Sequence, residues 1–216
     1  MGSLSGSLWA DNADLADAAL QHRFVRGIAD GSLPRETFAG YVAQDAYFVE
    51  CFARGYALGV ARSRDRATLE AFAELLDGAR EELHLHSGYA ERWGVDLASI
   101  EPARATLAYT DFLLATASLG GLGVICAAMT PCMRLYAHLG KRLAAEGIAG
   151  PYEEWVRTYA DPAFESLATR LEALLDEHAE DTIEVRSAYR RAMQLEVDFF
   201  AAAAARDCPL GSPQNP

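Results

Sequence analysis

Met129-Thr130-Pro131-Cys132-Met133-Arg134-Leu135-Tyr136 is the stretch on which the fold of this chain turns. It sits inside a helix-forming run from about Gly121 to Ala145. Ile125, Ala128, Cys132, Leu135, Tyr136 and Leu139 recur at three- and four-residue steps and so share one face. That face is expected to look inward, carrying the Cys132 thiol with it. Pro131 lacks a backbone N–H and crowds the carbonyl one turn back, so a kink or a freed Ala127 carbonyl is expected there. Free cysteines are mostly inert core filler, and a reactive one needs a special microenvironment. This helix alone does not decide between the two.

Outward from it, the same periodicity repeats. Asp11 to Arg26 reads as a first helix, closed by the turn Ala29-Asp30-Gly31-Ser32-Leu33-Pro34. Pro34 opens a second, where its missing N–H is harmless. Its stripe runs Phe38, Tyr41, Val42, then Phe48, Val49, Phe52, Tyr56, and the step at position 45 is filled by Asp45. A carboxylate within an inward stripe is expensive unless paired, unless it lies at the stripe's edge and reaches water. Arg66 to Trp93 is a third helix with Asp65 as N-cap and Gly94 as stop. Ala103 to Ser118 is a fourth, with Tyr109, Phe112, Leu113 and Thr116 on one face. After the Pro131 helix come a short helix with Trp155, Val156 and Tyr159, one from Asp161-Pro162 to His178, and a last from Asp181-Thr182. The charges Glu165, Arg170, Glu172 and Glu177 read as a solvated face. On the last helix the stripe Val185, Ala188, Tyr189, Ala192, Phe199, Phe200 is again interrupted by a carboxylate, Glu196. Alternating runs are nearly absent. The expectation is one all-α, multi-helix bundle over 11–206, with a loose Gly/Ser-rich segment at 1–10 and a disordered Pro-rich tail at 207–216.

Composition narrows the function. The 216 residues carry a formal net charge of −12, which argues against nucleic-acid or anionic-membrane partners. No apolar run reads as a bilayer span, and no basic-then-apolar leader is evident. Cys51, Cys126, Cys132 and Cys208 make no C-x-x-C pair, so neither disulfide framework nor zinc site is expected, and a cytoplasmic, reduced protein is. Gly120-Gly121-Leu122-Gly123 joins two helices and is no phosphate loop. Glu82 and His86 stand four apart on the third helix, half of what a di-metal bundle requires. Neither Asp45 nor Glu196 has a histidine three or four residues on, so Glu82–His86 reads as a hydrogen-bonded anchor, with no metal and no cofactor expected. Three functional groups then face inward from three helices: Asp45, Cys132 and Glu196. Tyr41, Tyr47, Tyr109, Tyr136 and Tyr159 add hydroxyl-bearing rings near the same faces. A thiol, two acids and aromatic walls suit covalent catalysis on a flat, partly polar ring. The residues themselves name no substrate.

His22-Arg23-Phe24-Val25-Arg26-Gly27-Ile28-Ala29-Asp30-Gly31-Ser32-Leu33-Pro34 resembles the opening motif of the TenA/thiaminase II family. Tyr41-Val42-Ala43-Gln44-Asp45-Ala46-Tyr47 resembles its Y-V-x-Q-D segment, Pro131-Cys132 with Leu135-Tyr136 its P-C-x-x-L-Y segment, and Trp155 to Tyr159 its W-x-x-T-Y segment. The similarity runs in register from about residue 10 to 205. It implies a heme-oxygenase-like all-α fold, usually homotetrameric, and hydrolysis of aminopyrimidines. In that reaction hydroxymethylpyrimidine is released from aminomethylpyrimidine, or from thiamin, in thiamin salvage. It further implies Cys132 as nucleophile, Asp45 and Glu196 as acidic partners, and a pocket lined by Tyr109, Tyr136 and Tyr159 together with Phe48, Tyr47 and Phe199. The Glu-x-x-x-His pair matches a family pair. Phe48 stands where many members have tyrosine, Met133-Arg134 replace bulky aromatics, and Glu196-Val197-Asp198-Phe199-Phe200 lacks the family's tryptophan. Arg134 either sits near the thiol, lowering its pKa, or lies on the surface. The competing readings are a heme-oxygenase-like metal-dependent oxidase and a non-enzymatic ligand-binding or regulatory protein.

Overall fold

The computed structural model describes residues 2–93, 96–97, 100–147 and 150–205, without the side chains of Leu85, His86, Tyr89 and Trp93. Gly94, Cys208 and the tail at 207–216 lie outside the described residues, as does the His86 side chain. Among the described residues there are ten α-helices and no strand: α1 Leu4–Asp11, α2 Ala13–Leu20, α3 Arg23–Asp30, α4 Arg35–Arg62, α5 Arg66–Trp93, α6 Arg104–Leu119, α7 Leu122–Glu146, α8 Glu153–Ala160, α9 Pro162–His178 and α10 Ile183–Ala205.

Local chemistry explains the boundaries. Asp65 accepts the Thr68 N–H at 2.9 Å and caps α5. Asp161 does the same for α9, accepting from the Ala163 N–H at 2.8 Å with Pro162 in the first turn. Gly31 ends α3 with φ of 75°, a left-handed conformation that a side chain would strain.

Two expectations for the N-terminus are corrected. From Leu4 onward the segment read as loose is helical. Ser3 caps α1, whose Ser5 donates to the Asp176 carboxylate through its N–H (2.7 Å) and hydroxyl (2.8 Å), while Leu8 is buried in the core. These tertiary partners override a composition of poor helix formers. The expected first helix is two, α2 and α3, broken where the His22 ring accepts the Phe24 N–H and starts α3.

α7 is the central element, packed against α9, α10, α8, α6 and α4. It runs unbroken through Pro131. By length and composition α7 could cross a membrane, contrary to the reading above, but its apolar window is 67% buried inside the bundle. A helix packed on nearly every side becomes apolar all round. Gly140 is the closest approach: a Cβ there would lie 2.3 Å from the Tyr159 carbonyl carbon, so only glycine lets the backbone of α8 reach α7. That contact sets where Tyr159 stands relative to Cys132, two turns away along α7.

Candidate active site

Asp45 and Glu196 are both buried, at 4% and 1% exposure, so neither sits at a wet stripe edge. Each has a partner. The Tyr41 hydroxyl hydrogen-bonds Asp45. Tyr109 donates its O–H to Glu196 Oε1 at 2.6 Å. Glu196 also hydrogen-bonds the Cys132 thiol, which joins α6, α7 and α10 through one acid. Burial pushes the Glu196 carboxyl up to about 8. The Tyr109 and Cys132 hydrogen bonds oppose that rise, and the nearby Asp45 charge adds to it. Burial also holds the Cys132 thiol well above its ordinary range, and Glu196, Glu82 and Asp45 hold it higher still. The thiol is therefore neutral at rest, and an acid poised near neutrality is hydrogen-bonded to it. The arrangement pairs a neutral thiol with a group that can exchange its proton near neutrality.

Arg134 does not act on the thiol, and it is not a surface residue. Its side chain is 15% exposed and donates to Glu172 at 2.8 and 2.5 Å and to Glu165 at 2.9 Å. Lys141 pairs with Glu165 as well, at 3.0 Å. Glu165 and Glu172 thus leave the solvated face expected for them and tie α9 to α7.

Asp45, Phe48, Cys132, Met133, Tyr136 and Tyr159 line one narrow pocket, with about 10 Å³ of free space. Tyr109 and Phe199 stand behind Phe48, at ring-centroid distances of 4.7 and 5.9 Å. Tyr47 does not join them. Two residues on from Asp45, about 200° around α4, it turns to the opposite side, half-buried. The Tyr136 and Tyr41 hydroxyls are 3.3 Å apart, and Trp155 donates its ring N–H to Tyr41 at 3.3 Å. The motif residue Gln44 faces away from the pocket. Its carbonyl oxygen accepts from the Ala103 N–H (2.7 Å) and the Thr106 hydroxyl (2.6 Å), and its amide donates to the Glu101 carbonyl (3.1 Å), so it fastens α4 to the start of α6.

Four wall residues lie outside the sequence reading of the pocket: Val49 and Phe52, which read as core stripe, and Phe164 and Glu82. Phe164 enters from the first turn of α9, and only the Asp161-Pro162 cap hints at where it would point. Glu82 lines the pocket and accepts the Tyr159 O–H at 2.7 Å, so it is part of the wall as well as an anchor. Among the described residues, no cluster of three or more His, Cys, Asp or Glu side chains is arranged to hold a metal ion.

The model of the TENA/THI-4/PQQC family matches residues 9–206. The chain belongs to this family. An aminopyrimidine aminohydrolase from Halalkalibacterium halodurans is 34% identical over 215 residues, covering 93% of this chain and 95% of the relative. Among solved structures, one from a Silicibacter species, described as a TenA family transcription regulator, superposes with a TM-score of 0.87 at 30% identity, over 93% of this chain and 96% of that one. A Shewanella denitrificans domain with a heme oxygenase-like fold superposes at 0.75 with 14% identity, over 93% and 92% of the two chains, a likeness of fold alone. TenA membership thus agrees with the motifs on α3, α4, α7 and α8, and the fold is the heme-oxygenase-like all-α bundle.

Proposed function

We propose that the chain is an aminopyrimidine aminohydrolase of the thiaminase II type, working through a covalent intermediate on Cys132 and releasing hydroxymethylpyrimidine in thiamin salvage. The reaction class rests on family membership and on the aminopyrimidine aminohydrolase relatives. The residue assignment rests on one observation: a buried carboxyl with a pKa of about 8, hydrogen-bonded to the part-buried Cys132 thiol at the wall of an aromatic pocket.

The chemistry follows from that pair. Glu196, in its ionised form, takes the thiol proton as the sulfur adds to an electron-poor pyrimidine carbon, and passes that proton to a ring nitrogen. The electron pair gained by the ring expels the amine from the exocyclic carbon, and the C–N bond breaks. Water adds to that carbon, giving up a proton to a carboxylate, and the sulfur leaves as the ring loses its added proton. Tyr109 holds Glu196 in place through the 2.6 Å bond. Asp45, hydrogen-bonded by Tyr41, accepts from the ring's amino group in this reading. Phe48, Tyr136 and Tyr159 supply flat surfaces for the ring, with Phe199 backing Phe48.

A homotetramer and a cytoplasmic setting belong to the same proposal. Leu119 and Ile183, 88% and 85% exposed, are apolar side chains that subunit contacts would cover. The free thiols Cys51, Cys126 and Cys132 suit a reducing compartment. The test is mass-spectrometric detection of hydroxymethylpyrimidine from aminomethylpyrimidine and, separately, from thiamin, with Cys132→Ser alongside. Product from the wild type and none from the variant supports both reaction and nucleophile. No product from either substrate overturns the assignment.

A further inference from the structure

One ring of the pocket differs from the rest in how it is held. Phe48, Phe52, Tyr136 and Tyr159 are at most 5% exposed, whereas Phe164, in the first turn of α9, is only half-buried. It meets the Tyr159 ring edge-on, at a centroid distance of 5.0 Å, and lines the pocket with Cys132 and Met133. With about 10 Å³ free, the pocket admits a six-membered ring only when a wall yields. Phe164 is the ring with solvent behind it, so it is the wall that can. Its neighbour in the chain, Glu165, is fastened. Arg134 Nη1 donates to Glu165 Oε1 at 2.9 Å, and Lys141 pairs with Oε2 at 3.0 Å. The rest of the Arg134 fork goes to Glu172, from Nε at 2.8 Å and from Nη2 at 2.5 Å. The two carboxylates are seven residues apart, so one guanidinium spans two turns of α9, roughly 10 Å along its axis. An apolar contact would hold α7 to α9 as firmly as a half-buried ion pair does. What the fork adds is direction: it fixes the rotation and height of α9 against α7. Arg134 follows Cys132 by two positions, so the thiol and the clamp share one helix.

We propose that Arg134 is a positioning residue for substrate binding: through Glu165 it sets how tightly Phe164 closes the pocket beside Cys132. This deepens the hydrolase reading above and rests on it. Arg134 touches neither substrate nor thiol; it fixes the turn of α9 that carries Phe164. A pyrimidine entering beside Cys132 displaces Phe164 outward, and the clamp returns the side chain onto the bound ring. That contact is made to a flat face, away from the bond that breaks, so it is worth the same in the ground state and the transition state. Loosening it weakens binding without slowing the chemical step. Glu172 lies two turns further along α9, away from the pocket. With Glu172 gone, Arg134 and Lys141 still hold Glu165, so the two carboxylates separate the aiming of Phe164 from the plain fastening of two helices.

Steady-state kinetics on aminomethylpyrimidine or thiamin, whichever the wild type turns over faster, test this alongside melting temperatures. Glu165→Ala should raise KM about fivefold or more, with kcat within about twofold of the wild type. Glu172→Ala removes the larger share of the Arg134 bonds and should lower the melting temperature at least as much, yet leave KM unchanged. Phe164→Ala should itself raise KM, and adding Glu165→Ala to it should raise KM no further, because the ring through which the clamp acts is gone. A merely structural tie would move melting temperatures and would produce neither the KM split nor the non-additivity. If Glu165→Ala folds poorly, Glu165→Gln loses the charge, keeps the size and gives the same comparison. An unchanged KM in the Glu165 variant, an equal rise in the Glu172 variant, or additive effects in the double variant overturns the proposal and leaves the hydrolase intact. Absence of wild-type turnover on both substrates overturns the hydrolase reading and this one with it.

Discussion

Replacing Glu196 by Gln changes the pH dependence of stability in a way that can be worked out beforehand. In the unfolded chain this carboxyl ionises near 4.5, and in the folded protein at about 8. Between those values the folded state holds a proton that the unfolded state has released, so stability falls as pH rises. At about 1.36 kcal/mol for each pH unit, the loss accumulates to about 5 kcal/mol by pH 8 and then levels off. Below pH 4.5 the contribution is intact. Glutamine is nearly isosteric, still accepts from Tyr109, and has no proton to lose, so Glu196→Gln should escape the slope. Urea denaturation of both proteins from pH 4.5 to 9 measures it. Groups common to both, His22 and His138 included, cancel in the difference. The variant should gain on the wild type steadily across the window and be the more stable protein at pH 8. A difference that stays flat within about 1 kcal/mol would mean that Glu196 ionises as an ordinary surface acid does. It would then be unsuited to exchanging a proton with the thiol near neutrality, and the mechanism would lose its base.

Other outcomes follow from the same geometry. Tyr109→Phe removes a hydrogen bond that lowers the Glu196 pKa. The acid limb of the pH–rate profile should therefore move upward and kcat fall by about tenfold or more, as steady-state kinetics will show. Gln44→Ala leaves the Ala103 N–H, the Thr106 hydroxyl and the Glu101 carbonyl without their partner. It should cost about 2–3 kcal/mol in denaturant unfolding, with Cys132 chemistry intact in the protein that remains folded. Gly140→Ala forces α8 away from α7 and should lower stability by at least about 1–3 kcal/mol. It should also depress activity through Tyr159, and a melting curve and a rate assay on one preparation read both effects.

The helical class, the long α4, α5, α7 and α10, and the three groups Asp45, Cys132 and Glu196 were legible because each is a local signal. A carboxylate that interrupts an apolar stripe stands out in one dimension. What was not legible depends on elements meeting. The α1 helix is held by Asp176 across the bundle, so its Gly/Ser composition misleads. Glu165 and Glu172 look solvated on their own helix and are not, because Arg134 reaches them from α7. Phe164 and Glu82 join the pocket only through the packing of α9 and α5 against it. Tyr47 shows the limit of motif adjacency: two residues along a helix from Asp45 turn its side chain to another side of α4.

Gln44 and Asp45 are neighbours in the chain with different employments, one fastening two helices and the other facing the pocket. Selection on one is therefore largely independent of selection on the other. A lineage that abandons the reaction has reason to keep the glutamine, which the fold still needs, and is free to let the aspartate drift. On the proposed mechanism, the glutamine will mark ancestry among divergent descendants of this architecture, while the neighbouring carboxylate, together with the thiol, will tell the working enzymes from the retired ones.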